Sequence, residues 1–174
     1  MARIPSLRLG AVASIAGLAV LLAGCGHSPD VSPAGSVGAN AHVGDILLRN
    51  VHVENPPPTG YPSGSDATVQ LALVNRADQP DALTSVTSDV ATRVEILSGT
   101  GCAGTPQPRL DLPASSPSDG PGYALRLVDL KVGIAQGGNV PITLTFAHAG
   151  SITVPTPIEA APVPLSQASP SCGG

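Results

Sequence analysis

The sequence predicts an all-β fold, an antiparallel β-sandwich of Greek-key type, on three observations. From about residue 44 to residue 160 apolar residues recur with period two, Gly and Pro turns punctuate the pattern, and no long window carries a helical period. Charged residues make up 11% of the chain, far below the roughly 25% of an average soluble domain. With 20 Gly and 19 Pro among 174 residues, little material remains for long solvated helices. About eight short strands with such turns suit two packed antiparallel sheets.

The elements follow in order. A first strand spans Ile46 to Val53, and Pro56-Pro57-Pro58 with Pro62 forms a rigid extended connector after it. Ala67, Val69, Leu71 and Leu73 then alternate with Thr68, Gln70, Ala72 and Val74, which puts one apolar face on a second strand. Asn75 to Asp81 supplies turn chemistry. Further strands are expected at Leu83 to Ser88, Arg93 to Leu97, Arg109 to Leu112 and Tyr123 to Leu130. Gly137-Gly138-Asn139 marks a turn into the clearest strand, where Val140, Ile142, Leu144 and Phe146 share a face, and Ser151 to Ile158 closes the series. Pro141, Pro155 and Pro157 fall inside strand candidates. Lacking an N–H, they belong on edges or strand ends, and edges so blunted favour a monomer.

The N-terminus reads as an export signal. Arg3 and Arg8 precede an uncharged apolar run from Leu9 to Leu22, which ends in Leu22-Ala23-Gly24-Cys25. The run is shorter than the roughly 20 residues of a comfortable membrane span, and small residues before a lone cysteine suit a lipoprotein signal peptidase. Residues 1–24 are accordingly the signal peptide, and Cys25 becomes the mature N-terminus. Its sulfur carries diacylglycerol, a palmitate-type anchor to the extracytoplasmic face of the cell membrane. Loss of Arg3 and Arg8 leaves six Lys+Arg against twelve Asp+Glu, a net charge of −6, so the acyl chains must supply the membrane attachment. Residues 25–43, rich in Ser, Pro, Gly and Ala, read as a flexible tether, 44–160 as the sandwich and 161–174 as a C-terminal tail.

Two cysteines remain, Cys102 and Cys172. In an exported protein such a pair is expected as a disulfide, which over so long a loop contributes on the order of 4 kcal/mol in the chain-entropy account. Neither has a second Cys or a His within four positions, so a metal-ligand spacing is missing.

Other function classes find little support. There is no Trp, Tyr61, Tyr123 and Phe146 are the only aromatics, and Lys131 is the only lysine, which argues against nucleic-acid binding. No GxSxG, HExxH, CxxC or glycine-rich phosphate loop occurs. His27 and His42 lie in the tether region, while His52 on the first strand and His148 in a turn read as surface histidines. Neither an enzyme nor a cofactor is expected.

Gly122-Tyr123-Ala124-Leu125-Arg126-Leu127-Val128-Asp129-Leu130-Lys131, then Gly137, Val140-Pro141-Ile142-Thr143-Leu144-Thr145-Phe146 and Ala149-Gly150, resemble the C-terminal half of the PCu(A)C family of periplasmic copper chaperones. The resemblance extends through Leu73-Val74-Asn75, Leu83 to Ser88 and Val94-Glu95-Ile96-Leu97, covering most of residues 45–158. Signal, tether and divergent core together are similar to the actinobacterial envelope lipoproteins called LpqE. The resemblance implies a cupredoxin-like sandwich, in the general immunoglobulin-like class. It also implies ligand positions: a His closing the strand at Leu97, a Met in the following loop, and a His-x-Met pair at Ala124 and Arg126.

None of these three positions keeps a ligand, and the only methionine, Met1, leaves with the signal. Thioethers select Cu(I), so the family's copper site is expected to be lost while the fold is kept. The first expected function is a non-catalytic binding or interaction module for an envelope protein or lipid. The alternative is metal handling by a relocated site drawn from His52, His148, His42 or the thiolates of Cys102 and Cys172, which requires at least three of them to converge. By the family's position, the binding surface is expected near the loop after Leu97 and the start of the Tyr123 strand.

Overall fold

The computed structural model describes residues 32–33, 38–54, 56–98, 104–116 and 122–160. The signal peptide, Cys25, Cys102 and Cys172 lie outside the described residues. Among the described residues the strands are β1 (Ser32–Pro33), β2 (Ala39–Val43), β3 (Ile46–Val53), β4 (Ala67–Asn75), β5 (Asp81–Thr87), β6 (Ala91–Ser98), β7 (Thr105–Gln107), β8 (Leu110–Leu112), β9 (Gly122–Leu130), β10 (Asn139–Phe146) and β11 (Ser151–Pro157). They form a seven-stranded sheet in the order β1-β2-β3-β4-β9-β6-β7 and a four-stranded sheet in the order β11-β10-β5-β8. Every strand pairing is antiparallel. The chain changes sheet between β4 and β5, β5 and β6, β7 and β8, β8 and β9, and β9 and β10, the crossovers expected of a Greek-key sandwich.

The period-two pattern is what packs the two layers. Val69, Leu71 and Leu73 of β4 and Leu125 and Leu127 of β9 enter one core with Ile142, Leu144 and Phe146 of β10 and Ile152 and Val154 of β11. Asn75, fully buried at the end of β4, donates from Nδ2 to the carbonyls of Gln79 and Leu112 at 2.8 and 3.3 Å. Its Oδ1 accepts from the Ala77 N–H at 3.0 Å, so one amide ties β4 to β8 of the other sheet. At the far end Val53 bridges Ile158, and the Glu159 N–H donates to the Val53 carbonyl at 3.0 Å.

Three differences from the sequence reading have physical causes. Ala39–Val43, read as tether, is β2, and Ala39 and Ala41 are buried in the main core. Two alanines bury too little area to stand out as an apolar period, yet their size lets β2 pack closely against its neighbours. Thr105–Gln107 is β7, an exposed strand held by pairing to β6 and carrying no apolar face that a sequence could reveal. Pro141 lies on β10, an inner strand, whereas Pro155 and Pro157 lie on the edge strand β11 as expected. The β5 ladder with β10 begins only at Thr143, so Pro141 sits where β10 has lost that neighbour and no N–H is required.

Candidate functional site

Residues paired across a ladder share a face. Gln70 pairs with both His52 and Ala124, and Ala124 pairs with Leu97, so β3, β4, β9 and β6 align these four side chains in one row on the outer face of the large sheet. In the next row Thr68, Arg126 and Glu95 are in register. The three positions expected to replace the metal ligands are therefore brought together. Leu97 and Ala124 are side by side and 1% and 0% exposed, although neither belongs to the main core. Arg126 follows on the same strand face, its Nη1 3.4 Å from Glu95 Oε2.

Glu95 is shared. Arg93 donates to its Oε1 from Nε and Nη2 at 3.2 and 3.0 Å, so one carboxylate holds two guanidinium groups. At the β3 end of the face, Gln70 Nε2 donates to Glu54 Oε2 at 3.1 Å. His52 is buried, with Nδ1 2.8 Å from the Asn50 carbonyl and Nε2 3.4 Å from Glu159 Oε1. The local backbone explains the ring's position: Asn50 takes a φ of 51° and the β3–β4 register shifts between Arg49 and His52. Tyr61 donates its hydroxyl to the Glu54 carbonyl at 2.6 Å. Burial, then the charges of Glu54 and Glu159, push its phenol above the usual value of 10.0, and burial alone does the same for Tyr123. Tyr61 is fixed by a bridge to Ile134, and Gly60 before it cannot be replaced, because an added Cβ would lie 2.3 Å from the Ile134 carbonyl oxygen.

The other candidate ligands do not join this face. His42 is half-buried on β2, and His148 is exposed in the β10–β11 turn, where its backbone N–H donates to Asp81 Oδ1 at 3.0 Å. Among the described residues no three His, Cys, Asp or Glu side chains converge to hold a metal ion. No helix among them is long and apolar enough to cross a membrane. Glu54, Gln70, Glu95 and Glu159 were missed as members of this face. For Gln70 the alternation along β4 was the available signal; for Glu95 it was the polar position two residues before Leu97.

The two-sheet antiparallel sandwich resembles solved PCuAC domains. The apo PCuAC domain of PmoF2 superposes with a TM-score of 0.56 at 23% identity, covering 71% of this chain and 96% of that one. The apo PCuAC domain from PmoF1 gives 0.55 at 20% identity, over 71% and 99%. The copper-bound PCuAC domain from PmoF2 gives 0.54 at 25% identity, over 71% and 98%. No curated relative matches the chain. Residues 46–158 match the model of the LpqE-like family, whose description marks its members as candidate lipoproteins, and the chain belongs to that family.

Proposed function

We propose that the protein is an envelope lipoprotein, anchored through Cys25, whose PCuAC-type sandwich is a non-catalytic binding module in place of a copper carrier. The observation that carries this reading is the state of the row Leu97, Ala124 and Arg126. Two of the positions are closed apolar side chains without a lone pair to offer. The third is a guanidinium, which has only donors and a fixed positive charge where a cation would have to sit. Glu95 holds that charge in place. The Cys102–Cys172 disulfide and the monomeric state belong to the same reading.

Competition against a Cu(I) chelator tests it. The exported protein is expected to take up no stoichiometric copper, whereas Leu97→His, Ala124→His and Arg126→Met together restore three ligands on adjacent, in-register positions and are expected to gain Cu(I) binding. Tight binding by the unmodified protein would replace this reading with metal handling by a relocated site.

A further inference from the structure

We propose that Arg126 and Thr68 form a receptor for a single carboxylate group on the outer face of the large sheet. This deepens the binding-module reading above and rests on it. Arg126 differs from every other cation among the described residues. Arg49, Arg76, Arg93, Arg109 and Lys131 are exposed, the side chains of Arg93 and Arg109 at 61% and 58%, whereas that of Arg126 is 31% exposed. Yet the exposed arginines hold the better protein contacts. Arg93 and Arg109 each give both Nε and Nη2 to one carboxylate oxygen, of Glu95 and of Asp111. Arg126 has a single contact, Nη1 3.4 Å from Glu95 Oε2, longer than the about 2.7–2.9 Å of a strong charge-assisted bond. Water readily meets the donors of an exposed guanidinium, but five donors on a sheltered one call for a fixed acceptor. Nε and Nη2 of Arg126 have none among the described residues.

Thr68 supplies a further donor at the same place. The Glu54 N–H donates to the Thr68 carbonyl at 2.9 Å, so Thr68 turns its own N–H and C=O toward β3. It therefore meets Arg126 in a non-hydrogen-bonded pair of β4 and β9, where Cα atoms are about 4.5 Å apart and side chains approach most closely. The Thr68 side chain is half-buried, and no described residue engages its hydroxyl. Charge sets the class of ligand. Arg93, Glu95 and Arg126 sum to one positive charge, while Glu54 lies across Thr68 and Asp66 lies two residues before it. Those acids disfavour a dianion, and the planar fork of a guanidinium matches a carboxylate. Leu97 and Ala124 beside the receptor are closed, so the head group alone is held and the affinity is millimolar.

The exported protein is titrated with propionate, with N-acetyl-trialanine and with its C-terminal amide, at constant ionic strength in chloride. Nitrogen-edited NMR follows the Arg126 Nε–H and the Thr68 amide. Saturable shifts are expected with both carboxylates and none with the amide. Equal affinities assign a small organic acid as sufficient ligand, and tighter binding of the peptide assigns a chain terminus. Arg126→Gln and Arg126→Lys are each expected to weaken binding about tenfold or more, the lysine because it keeps the charge without the fork. Thr68→Val keeps the β-branched shape and should weaken it several-fold, while Arg109→Gln, outside the receptor, leaves it unchanged. Shifts that do not saturate, that the amide or chloride reproduces, or that survive undiminished in Arg126→Gln protein that melts normally, overturn the receptor. Stoichiometric Cu(I) uptake by the unmodified protein is a different result and overturns the reading on which the receptor rests.

Discussion

The two sheets present the core with the same kind of face and the solvent with very different ones. On the small sheet the outer rows are Thr87, Thr143 and Thr153, then Ser85, Thr145 and Ser151. These hydroxyls bond one another, Thr143 Oγ1 to Thr153 Oγ1 at 2.8 Å and Ser151 Oγ to Thr145 Oγ1 at 2.9 Å. On the large sheet the outer rows carry His52, Gln70, Arg126 and Glu95, and they bury Leu97 and Ala124 apart from the main core. The hydroxyl face does what a solvent-facing strand surface requires: β-branched fit and cross-strand pairs. A solvent-facing strand has no need of a closed apolar pair or of two arginines on one glutamate. The difference locates specialisation on the large sheet.

Substitutions on the two faces sharpen this contrast. The largest expected effect is Leu97→Ala, which opens a cavity at a closed position and should cost about 2–4 kcal/mol in chemical denaturation. A cost near that of an exposed leucine would show that nothing rests on the outer row, and the contrast would collapse.

Asp81, which ties the start of β5 to the β10–β11 turn within the small sheet, comes next. Its carboxylate accepts from the N–H groups of Ala82, His148 and Ala149 at 2.7, 3.0 and 2.9 Å. Burial would raise its pKa, but these donors, with the His148 charge, bring it below the usual 3.8. The folded value lies below the unfolded one, so the stabilisation is complete above pH 3.8 and is lost as pH falls through the lowered folded value. Asp81→Ala should cost about 1 kcal/mol at neutral pH, discounted for exposure. In urea melts repeated at decreasing pH, its deficit should vanish in strong acid.

The smallest effect is expected on the hydroxyl face. Thr143→Val with Thr153→Val removes the 2.8 Å hydroxyl pair but keeps the β-branched shape, and melts should move by no more than about 0.5 kcal/mol. A loss several times larger would make that face as specialised as the other.

What the sequence disclosed and withheld follows from range. All eight expected strands recur in the structure because alternation is local: Val140, Ile142, Leu144 and Phe146 announce β10 by themselves. β1, β2 and β7 were hidden, the first only two residues long, the second built on alanines and the third exposed. Leu97, Ala124 and Arg126 were singled out only through the family resemblance. Their closure, and the Glu95 that holds Arg126 from 31 positions away, depend on strand register, which no short window contains. Asn75 looked like turn chemistry and is also the buried link between sheets.

The junction of Ile158 with Val53 has a consequence for how the protein forms. It joins the end of the last strand to the first long strand, β3, and Glu159 completes it by donating to the Val53 carbonyl. Contacts between segments so distant along the chain are slow to find one another. A chain emerging from its N-terminus can pair β3 with β4 early, but this closing contact must wait until nearly the whole domain has been delivered. During that interval the inner faces are open to other chains, and any truncation before residue 158 would make the interval permanent.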